Sequence, residues 1–161
     1  MNSGAVSIHD VLGRHAVHPF PARMVPGLVL DALDHLQPYA TVLDPMAGSG
    51  TVLAIARSKG HRALGFDVDP LAVLLSRVWT RTIDARELRD RGDVVLSRAR
   101  RIAPALSGLD LYPIGADEET RAFTRYWFDA VARRQLAALS RVIAKVRSQP
   151  LREALWCAFS R

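Results

Sequence analysis

Apolar residues recur at helical spacing ahead of the first candidate strand in this sequence. They fall at positions 25, 28, 29, 32, 33 and 36, which is the spacing of an amphipathic helix. Pro26 stands where a helix begins and Pro38 follows where it must end. Residues 1–23 show no such period and are predicted to form an irregular lead-in.

Two short apolar runs that each end in an acidic residue predict buried strands. Residues 40–44 end at Asp44, and residues 62–67 end at Asp67. Between them a glycine-rich turn leads into a predicted helix from Thr51 to about Lys59, which stops at Gly60. A further helix is predicted to open at Pro70. This order of strand, turn, helix, strand and helix predicts an α/β fold that begins a parallel sheet.

The second half of the chain is predicted to be mostly helical. Residues 84–101 are dense in charge, residues 104–115 are rich in proline and glycine, and a last helix opens at Pro150. One long helix is predicted to start at the acidic residues 117–119. Its apolar stripe would comprise Phe123, Trp127, Val131, Ala138, Val142 and Val146. Buried positions are predicted for Trp127, Trp156, Phe159 and Cys157. We therefore divide the chain into an α/β portion, residues 1–80, and a basic helical segment, residues 81–161.

Charge is distributed unevenly between the two halves. The 161-residue chain is 49% hydrophobic, which suffices for a sizeable core, and its formal net charge is +6. Residues 1–76 hold five Lys/Arg and six Asp/Glu, whereas residues 77–161 hold seventeen and ten. An excess made almost wholly of arginine suits a phosphate-rich partner such as DNA, because guanidinium matches phosphate geometry. The alternative is a set of arginines on solvated helix faces.

The sequence also predicts where in the cell the protein lies. It has no apolar run long enough to cross a membrane and no N-terminal signal pattern. Cys157 is the only cysteine, so a disulfide within the chain is excluded. We expect a cytoplasmic protein without a membrane partner.

The most informative stretch is VLDPMAGSGT, residues 42–51. Glycines at 48 and 50 permit a sharp turn and a close approach of a ligand to the backbone. The helix that follows offers free N–H groups and a positive dipole to a carboxylate or a phosphate. A dinucleotide fingerprint requires a third glycine where Leu53 stands, and a P-loop requires a lysine after Gly50. The sequence therefore disfavours both a dinucleotide site and a P-loop. The alternative to a ligand site is a turn that binds no ligand.

The string DPMAGSGT closely resembles the D-P-F-x-G-S-G-T motif of amino-methylating DNA methyltransferases. That family makes N6-methyladenine or N4-methylcytosine with S-adenosylmethionine on a Rossmann-like class I sheet. The resemblance implies that Asp44 faces the cofactor's ammonium and that its carboxylate lies near the N–H groups around Ser49–Thr51. Asp67 would accept hydrogen bonds from the ribose hydroxyls, and Val68 would pack near the adenine. The implied cofactor-binding residues of the loop are Asp44, Met46, Ala47, Gly48, Ser49, Gly50 and Thr51.

Two details qualify this resemblance. Met46 replaces the family's usual Phe, although methionine is also a soft apolar packer. Asp67 has an alternative role as the N-cap of the helix that opens at Pro70, for which Asp69 is better placed. The step from Asp44 to Asp67 is close to the roughly twenty residues by which a strand–helix–strand unit places its ribose acid.

The upstream segment HPFPAR, residues 18–23, resembles the stretch that these enzymes place before the cofactor motif. There it closes over the cofactor. The resemblance implies that Phe20 and Arg23 contact S-adenosylmethionine, with Arg23 where a lysine is common. The alternative is a pair of ordinary loop residues.

A second motif of that family, (Asp/Asn/Ser)-Pro-Pro-(Tyr/Phe/Trp), has no counterpart, because the sequence contains no Pro-Pro pair. No residue can therefore be assigned as catalytic. We expect a chain that binds cofactor but does not methylate by itself. The missing motif would lie on a downstream polypeptide or a second chain, and self-association is an alternative way to cover the edge of a two-stranded sheet.

Two other functions stay open at this point. The cofactor string also resembles that of some guanine-N2 methyltransferases of RNA, although those usually carry an RNA-binding domain upstream. A non-catalytic nucleic-acid-binding module would keep the basic helices and a vestigial glycine loop.

Overall fold

The computed structural model describes residues 6–13, 15–16, 18–21 and 23–161. These residues form an α/β structure that is mostly helical and contains a small parallel sheet of two strands. The order along the chain is α1 (Ile8–Leu12), α2 (Pro26–Leu33), β1 (Thr41–Asp44), α3 (Thr51–Ser58), β2 (Arg62–Gly65), α4 (Pro70–Thr80), α5 (Ala85–Ile102), α6 (Glu118–Trp127), α7 (Ala130–Ala144) and α8 (Gln149–Phe159).

The chain divides into two compact units. The first comprises Met1–Thr82 with Ser160–Arg161, and the second comprises Ile83–Phe159. The α/β elements α1 to α4 lie in the first unit, and the helices α5 to α8 lie in the second.

The sheet of the first unit follows the predicted strand–helix–strand order. The predicted burial of the strands is wrong, since Leu43 and Leu64 are 58% and 51% exposed, and β2 ends at Gly65, before Asp67. Thr41 pairs with Arg62 and Asp44 with Gly65, so the carboxyl ends of both strands lie side by side. Alternate strand residues point to one face, where Val42 and Ala63 meet helices α2 and α3. The buried residues of that cluster are Val29, Leu33, Ile55 and Ala56.

The helix starts of the first unit follow their sequence signals. Pro26 occupies the first turn of α2, and Pro70 that of α4. The side chain of Asp69 accepts a hydrogen bond of 2.8 Å from the Leu71 N–H, which confirms Asp69 as the N-cap of α4. The predicted irregular lead-in is wrong in part, because Ser7 and Asp10 form a reciprocal capping box that starts the short helix α1.

The second unit is a helical cluster formed by α5, α7 and α8. Its buried residues include Val95, Ala138, Ile143 and Leu151. Cys157 is buried as predicted, and Trp156 and Phe159 are half-buried against the same core. Residues 103–111, in the region predicted as a loop, contain two short turns of 3₁₀-helix.

The single long helix predicted from residue 117 is wrong. Phe128 has an extended backbone, and the Asp129 side chain accepts a 2.7 Å hydrogen bond from the Ala132 N–H, so a new helix begins there. An aspartate that caps a helix competes with continuing the previous one. The predicted burial of Trp127 is also wrong: 62% of its surface is exposed, and α6 has no buried residue.

Among the residues that the structure describes, no helix is both long and apolar enough to cross a membrane.

Candidate functional site

The candidate site lies at the carboxyl ends of β1 and β2. Asp44 ends β1 and pairs in register with Gly65, which ends β2. The loop after β1, residues 45–50, leads into α3, and the loop after β2, residues 66–69, leads into α4. Parallel strands bring their following loops together at one edge of the sheet, where ligands of open α/β sheets bind.

Two glycines of the first loop adopt the left-handed backbone conformation. The φ angle is 50° at Gly48 and 85° at Gly50, which caps the N-terminus of α3. A side chain at Gly50 would also lack space, since a Cβ there would lie 2.8 Å from the Cα of Ser76 on α4. The Ser76 hydroxyl donates a hydrogen bond of 3.1 Å to the Gly48 carbonyl. Helix α4 thus packs against the glycine turn and stabilises it through Ser76.

Asp67 fastens the two loops to each other. Its Oδ2 accepts a 2.8 Å hydrogen bond from the Gly48 N–H, and its Oδ1 accepts one of 2.9 Å from the Asp69 N–H. These N–H groups, Asp69 first and Gly48 second, hold the pKa of Asp67 below its usual value. The carboxylate stays ionised, and since a carboxylate offers about four acceptor positions, it retains acceptors for further donors.

The N-terminus of α3 presents unused hydrogen-bond donors. No side chain caps this helix, and no hydrogen bond among the described residues engages the N–H groups of Thr51, Val52 and Leu53. The side chains of Ser49 and Thr51 are buried, with their hydroxyl oxygens 3.5 Å apart. The site therefore combines the partial positive charge at the N-terminus of α3 with the negative charge of Asp67 on the loop after β2.

The remaining residues proposed from the sequence differ in exposure. Ala47 is buried within the loop. Asp44 is half-buried and accepts a 3.1 Å hydrogen bond from the Met46 N–H, so its carboxylate shapes the turn. The side chains of Met46 and Val68 are exposed by 83% and 102%. Both apolar side chains lie on the surface beside the loops, outside the core, and are accessible to a ligand.

The upstream segment is organised locally. The Arg23 guanidinium donates hydrogen bonds to the backbone carbonyls of Phe20, at 2.8 Å, and of His18. No hydrogen bond or ion pair within the described ranges joins Phe20 or Arg23 to the glycine loop. The structure thus brings together the residues of the two loops and leaves Phe20 and Arg23 in a separate turn.

Two residues that support the site were not singled out from the sequence. Ser76 is one, since a serine within an apolar helix gives no signal of its own. Gly65 is the other: a Cβ there would lie 2.5 Å from Cδ1 of Leu53 and 3.1 Å from Cβ of Ala47. Leu53 occupies the position of the third glycine in a dinucleotide fingerprint, and here the glycine for close helix–strand packing lies on β2 instead.

Comparison with known proteins finds similarity to two type II methyltransferases. The chain is 25% identical over 124 residues to the type II methyltransferase M.MjaII of Methanocaldococcus jannaschii, an alignment that covers 76% of the chain. It is 31% identical over 78 residues, 46% of the chain, to the type II methyltransferase M.MvaI of Kocuria varians. These similarities support a methyltransferase family.

The chain matches only a part of each of these proteins. The aligned regions cover 23% of M.MjaII and 17% of M.MvaI. No protein-family profile matches the sequence, and no solved structure matches it.

Proposed function

We propose that this chain is the S-adenosylmethionine-binding part of a DNA methyltransferase that methylates an exocyclic amine of adenine or cytosine. The observation that carries the proposal is the joined pair of loops at the carboxyl ends of the strands. It combines left-handed glycines, an uncapped helix N-terminus and an ionised Asp67. The similarity to type II methyltransferases favours this cofactor over other ligands of glycine loops.

The residues present fit the parts of S-adenosylmethionine. A carboxylate suits the free N–H groups at the start of α3, and the spare acceptor positions on Asp67 suit the two ribose hydroxyls. Exposed Met46 and Val68 offer apolar contact to the adenine ring. Asp44 would face the ammonium. When bound, the cofactor supplies an electrophilic methyl group; the chain supplies binding and orientation.

In this proposal Asp67 has two roles. It holds Gly48 and Asp69 in place, and it would receive the ribose hydroxyls on the oxygen lone pairs that remain. The cofactor-binding set would comprise Asp44, Met46, Ala47, Gly48, Ser49, Gly50, Thr51, Asp67 and Val68. Phe20 and Arg23 would join it if their segment closes over the cofactor.

No residue of this chain is proposed to be catalytic. A Pro-Pro motif is absent from the sequence, so methyl transfer would require a downstream polypeptide or a second chain. We propose DNA as the substrate because the basic charge lies in the helical segment. A guanine-N2 methyltransferase of RNA is the alternative, and retention on structured RNA in place of duplex DNA would favour it.

A ligand-class experiment tests the cofactor proposal. The melting temperature of the purified chain is measured with S-adenosylmethionine, S-adenosylhomocysteine, NAD and ATP at equal concentrations. We expect the first two to raise it and the others to leave it unchanged, because binding to the folded state alone is stabilising. Equal stabilisation by NAD or ATP would point to a general nucleotide or phosphate site and contradict the proposal.

A further inference from the structure

A groove in the second unit is lined by basic side chains. It has a volume of about 420 Å³ and lies between α5 and the segment that connects α7 to α8. Its charged lining consists of Arg91 and Arg98 from α5 with Lys145 and Arg147 from the connecting segment, and no acidic residue lines it. The groove therefore concentrates positive charge on one surface of this unit.

These four cations are not neutralised within the part of the chain that the structure describes. Each is exposed, and none forms an ion pair or a side-chain hydrogen bond there. Arginines of the same unit differ in this respect: Arg125 pairs with Glu118 and Arg141 with Asp110, whereas Arg89 and Arg101 on α5 are also exposed and unpaired among the described residues. An unneutralised cluster of like charges costs free energy through repulsion, which a polyanionic ligand would relieve.

Helix geometry holds the cations at fixed spacing. Residues 91 and 98 are seven positions apart, so both lie on one face of α5, about 10 Å apart along its axis. The floor between the walls is made of the buried side chains Val95, Val142 and Val146. This packing fixes the backbone positions from which the four cations extend.

Helix dipoles explain the positions of only some of the four cations. Lys145 caps the C-terminus of α7, where a cation is favoured in any helix. Arg91 and Arg98 lie within α5 and have no such explanation. Ser148, which directly precedes α8, also lines the groove and adds a hydroxyl donor.

We infer that this groove binds the phosphodiester backbone of duplex DNA. Guanidinium forks form paired hydrogen bonds with phosphate oxygens, and a row of cations suits a ligand whose charges repeat along its length. Contacts of this kind position DNA and carry no base sequence information. The inference rests on the proposed function, since it names the surface by which that enzyme would hold its substrate.

A pair of matched double variants tests the inference. Arg98→Gln with Lys145→Gln removes two charges from the groove, whereas Arg89→Gln with Arg101→Gln removes two exposed, unpaired charges of α5 from outside it. Fluorescence anisotropy with a labelled 20-base-pair duplex is measured for the full chain between 50 and 200 mM NaCl. Circular dichroism confirms that each variant is folded.

We expect the groove variant to bind about tenfold more weakly, and the slope of log affinity against log salt to become shallower by about 1.8, for two lost phosphate contacts. The affinity of the control variant should stay within about threefold of that of the unsubstituted chain. The slope of its log affinity against log salt should change by less than about 0.5. Equal losses in both variants would mean attraction by net charge only and would overturn the inference. So would an unsubstituted chain that fails to bind the duplex at 50 mM NaCl.

Two additional measurements, competition by poly-glutamate and binding of S-adenosylmethionine, test whether the groove is specific for DNA and separate from the cofactor site. Poly-glutamate that competes with the duplex at equal charge would identify an acidic-peptide groove and overturn the assignment to DNA. Binding of S-adenosylmethionine to the groove variant is measured in parallel and should be unchanged. DNA binding through the groove by a chain that does not bind S-adenosylmethionine would uphold the inference and refute the proposed function.

Discussion

The N–H of Gly48 donates a 2.8 Å hydrogen bond to Oδ2 of Asp67, and this bond joins the loop after β1 to the loop after β2. The other oxygen of the same carboxylate holds the N–H of Asp69. The backbone joins the same two loops, since the Ala47 N–H donates a 2.9 Å hydrogen bond to the Phe66 carbonyl. The Asp67 carboxylate is therefore the side-chain part of a link to which the backbone also contributes.

Replacing Asp67 with alanine should weaken S-adenosylmethionine binding by about tenfold or more. The substitution removes the acceptor of two backbone N–H groups and the proposed acceptor of the ribose hydroxyls, and hydrogen bonds to an ionised acceptor are stronger than those to a neutral one. Affinity is measured by fluorescence competition. Asp31→Ala on the exposed face of α2 is the control and should bind as the unsubstituted chain does. An unchanged affinity of Asp67→Ala would remove Asp67 from the site.

The hydrogen bonds to Asp67 also predict a pH dependence. Its pKa is lowered in the folded chain by the N–H groups of Asp69 and Gly48. A carboxyl with a lowered folded pKa stabilises the fold above its unfolded pKa, and that stabilisation is lost as the pH falls through the folded pKa. The stability difference between the unsubstituted chain and Asp67→Asn should be constant above about pH 5 and shrink below about pH 4. Urea midpoints between pH 3 and pH 7 measure it, and a constant difference down to pH 3 would contradict this role.

Gly50→Ala should destabilise the chain much more than Gly60→Ala. Both glycines have left-handed backbones, with φ angles of 85° and 83°. A Cβ at Gly60 meets nothing within 4 Å, whereas one at Gly50 lies 2.8 Å from the Cα of Ser76. Gly60→Ala therefore carries only the dihedral cost of about 1–2 kcal/mol, and Gly50→Ala adds a backbone clash. Denaturant titration compares the two, and equal losses would show that the approach of α4 to the loop is not tight.

Gly65 and Leu53 should be energetically coupled. Gly65→Ala forces the Leu53 side chain to move and should cost about 1–3 kcal/mol, while Leu53→Ala costs about 2–5 kcal/mol through the cavity it leaves. In the double variant the new methyl group enters that cavity, so the combined loss should be smaller than the sum of the two. Gly27→Ala on α2, where a Cβ meets nothing within 4 Å, is the control and should not destabilise. Strict additivity would argue against the contact.

The exposure of the aromatic residues on α6 predicts a contrast between two tryptophans. Trp127 is 62% exposed, with Tyr126 edge-on to it at 5.1 Å, whereas Trp79 on α4 is 1% exposed. Trp127→Ala should change the free energy of unfolding by less than about 1 kcal/mol, and Trp79→Ala should lower it by about 3–5 kcal/mol. Denaturant titration followed by circular dichroism measures both. Similar losses would indicate that Trp127 is covered in solution.

The first unit could be predicted from the sequence to a large extent, because its signals are local. Apolar runs ending in Asp44 and Asp67, glycines at the turn and prolines at the helix starts each act within a few residues. The break at Asp129 could not be predicted, because the apolar residues keep a helical period on both sides of it. The N-cap of α7 formed by Asp129 interrupts that period. The packing of Gly65 on Leu53 and of Ser76 on Gly50 arises between distant positions, and no local pattern reports it.

Titration calorimetry of the folded chain with S-adenosylmethionine measures whether these two loops bind the cofactor. We expect saturable binding with one site per chain, and a loss of the heat signal for Asp67→Ala but not for Asp31→Ala. A folded chain that gives no binding heat at any of several temperatures, or one in which Asp67→Ala binds as tightly as the unsubstituted chain, would contradict the assignment of a cofactor site to these two loops.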